Sequence, residues 1–168
     1  SGVVISDLEQ AVADETVNAI VLRVDSPGGG VVGSAQIWEV IRDIEKPVVV
    51  CIGTQAASGG YYVSAPADYI FARPNTITGS IGVIFSLFNF SEHTEEYGIE
   101  QVTITSGPLK DLGSPYNEFS AEERAVLQTL VDESYDDFVD VVATGRGISE
   151  ETVSSEIADG GIFSGNQA

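Results

Sequence analysis

Short apolar runs rich in β-branched residues alternate with helical patterns along this chain, and this alternation restricts the chain to a few classes of fold. Gly, Pro and Asp bound the runs, and each run has the length of a buried strand. The predicted strands are residues 19–24, 48–53, 69–72, 81–85 and 101–105. Because the runs are apolar without strict alternation, they predict a mainly parallel β-sheet flanked by helices, which is an α/β fold.

Apolar residues at helical spacing mark the segments between and after the strands. The predicted helices are residues 34–45, 61–67, 120–147 and 149–160. Ser34 and Ser149 are the expected N-caps of two of these helices. Ser120 and Glu123 have the spacing of a capping box at the start of the longest one.

The size and charge of the chain restrict its partners. With 168 residues and 43% hydrophobic content, residues 1–168 are predicted to form a single domain. The formal net charge of −19 argues against nucleic acid or anionic lipid as a direct partner. High salt screens the self-repulsion of such a charge, so a halophilic source is a hypothesis beside an ordinary acidic protein. No pattern of metal ligands and no long apolar run occurs, so no metal, cofactor or transmembrane helix is expected.

The glycine-rich segment 26-SPGGGVVG-33 lies between a predicted strand and a predicted helix. Gly28, Gly30 and Gly33 match the G-x-G-x-x-G pattern of dinucleotide-binding loops. The next strand, however, ends without the carboxylate that would bind a ribose. Backbone N–H groups of such a turn can bind an oxyanion as readily as a phosphate, and a plain strand-to-helix junction is the third possibility.

Ser58 lies in 55-QAASGGYY-62, which follows a predicted strand and precedes a helical segment. Small residues around a serine between a strand and a helix are typical of a nucleophile elbow. The hydroxyl would then lie at a helix N-terminus, whose partial positive charge favours a developing oxyanion. An N-cap in a tight turn is an equally good interpretation of these residues alone.

A serine nucleophile needs a general base, and the sequence offers few. The only histidine, His93, lies in a polar, acidic segment that indicates a solvated helix face. Lys110 is one of two lysines and lies in the Gly/Pro/Ser-rich segment 105-TSGPLKDLGSP-115. Lysine can act as a base when its pKa is lowered, whereas arginine stays protonated. A Ser/Lys dyad is therefore the predicted chemistry.

With these motifs in order, the chain resembles the signal peptide peptidase A family, which are serine proteases with a Ser/Lys dyad and a Clp protease/crotonase-like fold. The segments that carry the resemblance are residues 25–30, 55–68, 78–84, 105–115, 134–147 and 159–168.

The resemblance implies a role for each matching residue. Ser58 would be the nucleophile, and Lys110 the base that takes its proton and returns it to the leaving amine. The backbone N–H groups of Gly29 and Gly59 would form the oxyanion hole, and Ser80 would orient the lysine amine. No cofactor is implied.

The resemblance also implies a substrate and a setting. Family members degrade apolar peptides, notably signal peptides after their release from secreted proteins. They are homo-oligomers in the cell membrane, tethered by an N-terminal segment with the catalytic domain outside the cytoplasm. This sequence lacks the tether and ends where the family continues, so a trimmed chain is expected. A crotonase-type acyl-CoA enzyme and an inactive peptide-binding scaffold of the same fold are the alternatives.

Overall fold

The computed structural model describes residues 1–168, which fall into two compact units. The first comprises Ser1–Val83 and Ser134–Ala168, and the second comprises Ile84–Glu133. That residues 1–168 form a single domain stays a prediction. No helix combines the length and apolar character that spanning a membrane requires.

Eleven helices and strands, with one π-helical turn, make up the structure. The helices are α1 (Gly2–Ala13), α2 (Val31–Arg42), α3 (Gly59–Ser64), α4 (Ser91–Glu96), α5 (Ala121–Arg146) and α6 (Glu150–Thr152), with the π-helical turn at Val153–Ile157. The strands are β1 (Ile20–Ser26), β2 (Val48–Ala57), β3 (Tyr69–Phe71), β4 (Ile77–Gly79) and β5 (Ile162–Ser164).

The five strands form one mixed sheet in the first unit. The order is β1-β2-β4-β5, and β3 pairs with the first half of β2. The pairs that β2 makes with β1, β3 and β4 are parallel, whereas β5 is antiparallel to β4. The predicted α/β fold with a mainly parallel sheet is therefore confirmed.

Two clusters of buried side chains form the core of the first unit. One lies between the sheet and helices α1 and α2, and its fully buried centre is Val50. The other packs α3 against the C-terminal half of α5, with Tyr62 and Phe138 in ring contact at 5.0 Å between centroids. The second cluster fixes the position of α3, which follows Ser58 directly.

The ends of α3 and α5 are joined by close backbone contact. A Cβ atom at Gly145 of α5 would collide with the carbonyl group of Ala65, which ends α3. The neighbouring Arg146 donates from Nη1 to the carbonyl oxygens of Ala65 and Ala67, both at 3.0 Å. These bonds satisfy carbonyls that the end of a helix leaves without partners.

Some boundaries differ from the prediction. Helix α2 begins three residues before Ser34, with Gly30 as its N-cap, so Ser34 is buried within the helix and is not its cap. Residues 81–85 are not a strand, because the chain leaves the sheet after Gly79. Residues 101–105 are not a strand either, since Val102 and Ile104 are 77% and 95% exposed and pairing needs a partner.

The capping predictions for Ser120 and Ser149 are confirmed. The Glu123 N–H donates to the Ser120 hydroxyl at 3.2 Å, and the Ser120 N–H donates to the Glu123 carboxylate at 2.8 Å. These bonds lower the pKa of Glu123. The carboxylate also accepts from the Gly113 N–H at 3.4 Å, which ties the Lys110 loop to the start of α5 within the second unit.

Candidate active site

Ser58 lies at the sharp turn between β2 and α3, where its backbone is strained. Its φ of 50° and ψ of −124° belong to a region that side-chain-bearing residues rarely adopt. The Ser58 carbonyl accepts from the N–H groups of Tyr61 and Tyr62 at 2.8 and 2.9 Å, which begins α3. The side chain, in contrast, makes no cap hydrogen bond. Ser58 is therefore at the N-cap position, but its half-buried hydroxyl is left free, as in a nucleophile elbow.

A bulge in β2 directs the chain toward this turn. Val24 of β1 pairs with Ile52, but the next paired residue, Ser26, lies opposite Ala56. The carboxylate of Asp25 compensates for the interrupted ladder, because it accepts from the backbone N–H groups of residues 54 and 55 at 3.2 and 3.3 Å. Bulges of this kind change the direction of a strand and are frequent beside active sites.

The glycine turn contacts the serine turn through its backbone. A Cβ atom at Gly28, whose φ is +140°, would lie 3.1 Å from the Cβ of Ser58. A Cβ atom at Gly59 would lie 2.9 Å from the backbone N of Gly29 and 2.5 Å from the Oγ of Ser34. Only glycine fits this contact without displacement.

Gly29 and Gly59 are thus brought together beside Ser58. Neither N–H group donates a hydrogen bond within the protein. Gly59 is the first residue of α3, where an N–H group has no partner inside the helix and carries part of the helix dipole. Two free N–H groups beside one hydroxyl are the arrangement that an oxyanion hole requires.

Ser80 lies next to the strand segment that holds Ser58. The Ser58 N–H donates to the carbonyl of Gly79 at 2.9 Å, and the Ser80 N–H donates to Gly161 at 2.6 Å. The φ of Ser80 is 51°, and apart from Ser58 it is the one non-glycine residue with a positive φ. Strained backbone of this kind concentrates at functional sites.

Lys110 belongs to the second unit, in a turn closed by a bond from its N–H to the carbonyl of Gly107 at 3.1 Å. Its exposed ammonium group makes no hydrogen bond or ion pair. The other lysine, Lys46, binds the carbonyls of Ala11 and Asp14 at 2.9 and 2.7 Å and so has a structural role. His93 is exposed on α4.

Sequence reasoning missed the hydrogen bonds that the side chains of Asp25 and Ser26 make with the backbone of residues 54, 55 and 28. Both lie in the 25-DSPGGG-30 segment that carries the family resemblance, and that segment was the available signal. The bonds of Asp25 depend on the pairing of β1 with β2, which no local pattern predicts. No group of three or more His, Cys, Asp or Glu residues could hold a metal ion.

Comparison with known proteins supports the fold. A mutant ClpP1 from Listeria monocytogenes superimposes with a TM-score of 0.62 at 16% identity, over 99% of this chain and 77% of that one. At this identity the likeness establishes the Clp protease-like fold alone. The Clp protease family model also matches residues 2–78.

Sequence relatives are more closely similar. A protein of Enterococcus faecium named as a signal peptide peptidase SppA is 45% identical over 98% of this chain and 48% of its own length. Protease 4 of Salmonella typhi is 40% identical over 97% of this chain and 26% of its own length. The chain thus spans about half, or less, of the relatives it matches. The model of peptidase family S49 matches residues 41–168, which is most of the chain, and the protein therefore belongs to peptidase family S49.

Proposed function

We propose that this chain is the catalytic part of a serine endopeptidase that cleaves apolar peptides through an acyl-enzyme at Ser58. The observation that carries the proposal is the strained turn at Ser58 with the free N–H groups of Gly29 and Gly59 beside it. Membership of a peptidase family and relatives named as proteases support the same reaction.

The proposed reaction begins when Lys110 removes the proton from the Ser58 hydroxyl. The Ser58 Oγ attacks the carbonyl carbon of the scissile peptide bond, and the N–H groups of Gly29 and Gly59 stabilise the resulting oxyanion. Collapse of this tetrahedral intermediate breaks the C–N bond, and Lys110 returns its proton to the leaving amine. Water then hydrolyses the acyl-enzyme by the same sequence of steps.

Two contrasts support Lys110 as the base. Lys46 uses its donors on backbone carbonyls, whereas the Lys110 ammonium makes no hydrogen bond or ion pair. The His93 ring is exposed on α4 and makes no hydrogen bond or ion pair with a neighbouring carboxylate that would orient it as a base. Ser80 would orient the Lys110 amine, a role consistent with its strained backbone.

The preference for apolar peptides rests on the second unit. This unit contains a cavity of about 270 Å³, with Phe85, Leu87 and Phe88 on an apolar wall and the polar residues Asn89, Arg124 and Gln128 elsewhere in its lining. Aromatic and aliphatic walls of this kind suit apolar side chains. The relative named as a signal peptide peptidase suggests remnant signal peptides as one natural source of such peptides.

The setting of the enzyme is part of the proposal. The protein would act at the cell membrane as a homo-oligomer, with residues 1–168 outside the cytoplasm and tethered to the membrane by an N-terminal segment. The formal net charge of −19 suits a halophilic, archaeal source, because high salt screens its self-repulsion. A free energy of unfolding that does not rise with added salt would contradict the halophilic source.

The first experiment is mass spectrometry of the intact protein, in high salt, after reaction with a fluorophosphonate probe. The expected result is a single adduct on Ser58 that Ser58→Ala abolishes and Lys110→Ala strongly slows. Ser86→Ala is a matched control, since it removes a serine hydroxyl that has no assigned role. An inactive binding scaffold predicts no adduct on folded protein, and an acyl-CoA enzyme predicts turnover of an acyl-CoA that Ser58→Ala leaves intact.

A further inference from the structure

The Ser26 side chain holds both polar groups of one residue of the glycine turn. The Ser26 hydroxyl donates to the carbonyl oxygen of Gly28 at 3.1 Å, and its oxygen accepts from the N–H of Gly28 at 3.3 Å. A hydroxyl can make both bonds at once, because it carries one donor and two acceptor lone pairs. Pro27, between the two residues, has no N–H group that could compete for the oxygen.

The bond to the Gly28 carbonyl also fixes the next N–H group. The peptide bond between Gly28 and Gly29 is trans, as are all peptide bonds in the protein. In a planar trans peptide the C=O and the following N–H point in opposite directions. When Ser26 holds the Gly28 carbonyl on one side, the N–H of Gly29 must therefore point to the other side.

No other hydrogen bond within the protein holds the orientation of this peptide. Glycines flank it on both sides, so the two dihedral angles that would rotate it are unusually free. Gly28 already has a φ of +140°. Rotation by half a turn would replace the Gly29 N–H with the Gly28 carbonyl, which would repel an oxyanion instead of binding it.

Ser26 itself is rigidly placed. It ends β1 and pairs with Ala56 of β2, two residues before Ser58. A Cβ atom at Gly60 would lie only 2.7 Å from the Ser26 carbonyl oxygen, so the start of α3 packs directly on the Ser26 backbone. The hydroxyl is thus anchored to the same two elements that hold the serine turn.

We propose that Ser26 is a positioning residue that orients the Gly28–Gly29 peptide, so that the Gly29 N–H faces the oxyanion formed at Ser58. The inference rests on the proposed peptidase function, because it assigns the oxyanion to that reaction. Ser26 touches neither the substrate nor the reacting atoms in this role, and its effect passes entirely through one peptide group.

The kinetic test compares Ser26→Ala and Ser26→Thr with the wild type on a short apolar peptide ester. Loss of one oxyanion donor should lower kcat about 100-fold with KM changed less than about twofold, because the donor acts mainly in the transition state. Affinity for a peptide boronic acid, whose tetrahedral adduct resembles the intermediate, should fall in parallel. Ser26→Thr retains the hydroxyl and should restore most of the activity.

A control and a second readout separate this idea from a general loss of structure. Ser154→Ala removes a hydroxyl bond to a helix carbonyl elsewhere in the first unit and should leave kcat unchanged. Nuclear magnetic resonance of protein labelled with ¹⁵N-glycine should show that Ser26→Ala shifts the amide signals of Gly28 and Gly29 and removes the exchange protection of Gly28. The signals of glycines far from the turn should stay in place.

Two results would overturn the proposal. One is a folded Ser26→Ala protein with kcat within threefold of wild type, and the other is a Ser26→Thr protein as impaired as Ser26→Ala. If the wild type shows no turnover that depends on Ser58, the peptidase function is what fails. The Gly28 and Gly29 signals then decide the positioning role, and unchanged signals in Ser26→Ala would refute it.

Discussion

Replacement of Gly145 by alanine should destabilise this protein, although the same change inside most helices is stabilising. Alanine is favoured over glycine by about 1 kcal/mol in a helix interior. At Gly145, however, the new Cβ would collide with the backbone carbonyl of Ala65. The obstacle is the main chain at the end of α3, which cannot move aside as a flexible side chain could.

The magnitude follows from the contacts that must give way. Overpacking of a tight site costs about 1–3 kcal/mol. Separation of the two helices would also weaken the bonds from Arg146 to the carbonyls of Ala65 and Ala67, and a hydrogen bond to a charged group contributes about 1.5–3 kcal/mol. After the gain in propensity, the net loss is about 2–4 kcal/mol, or about 4–16 °C in Tm for a protein of this size.

Thermal unfolding followed by circular dichroism in high salt is the assay, and the chain supplies a matched control. Gly33 lies in α2 with nothing within 4 Å of its Cβ position, so Gly33→Ala should raise Tm by up to about 4 °C. The same substitution in two helices thus has opposite predicted signs. A Gly145→Ala protein as stable as the wild type would refute the packing of α5 on α3.

Three further predictions concern the site and its supports. Gly59→Ala should lower kcat about 100- to 1000-fold, because its Cβ would meet the Gly29 N at 2.9 Å; peptide turnover measures this, and unimpaired turnover would contradict it. Lys110→Arg should be nearly inactive, because arginine cannot take the proton, and wild-type activity should rise toward alkaline pH, where more of the base is neutral. A rate that stays flat from neutral to alkaline pH would contradict the dyad. Ionisation of Tyr61 would not explain a rise in rate, since burial raises the pKa of Tyr61 above its ordinary value. Hydrogen bonds lower the pKa of Glu123, so the ionised carboxylate stabilises the protein at neutral pH, and this stabilisation is lost as pH falls through that pKa. In urea titrations, the free energy of unfolding of Glu123→Gln should therefore fall less at acid pH than that of the wild type. The same fall in both proteins would contradict this prediction.

Much of the fold could be predicted because its signals are local. The strand β1 begins within one residue of its predicted start, β2 and β3 begin where predicted, and the caps at Ser120 and Ser149 have the predicted bonds. Hydrophobic periodicity and capping residues act over a few positions, so the sequence alone carries them.

The remaining features depend on distant parts of the chain. The strand β4 pairs with β5, whose residues Ile162–Ser164 lie more than 80 positions away. The extension of β2 to Ala57 requires the bulge that the Asp25 carboxylate supports. Residues 101–105 have the composition of a strand but no partner to pair with. The turn at Ser58 could be predicted from the small residues around it. The two hydrogen bonds of the Ser26 hydroxyl could not, because they depend on the conformation of the glycine turn in the folded protein.

The strained backbone at Ser58 has a practical consequence for anyone who needs an inert form of this protein. A side-chain-bearing residue at φ 50° costs about 1–3 kcal/mol, and glycine would release much of that energy. Ser58→Gly should therefore yield a more heat-resistant, non-cleaving protein that is suited to trapping peptides for crystallisation. Ser58→Ala keeps the β-carbon and the strain, and it is the better reference wherever a loss of activity must be separated from a gain in stability.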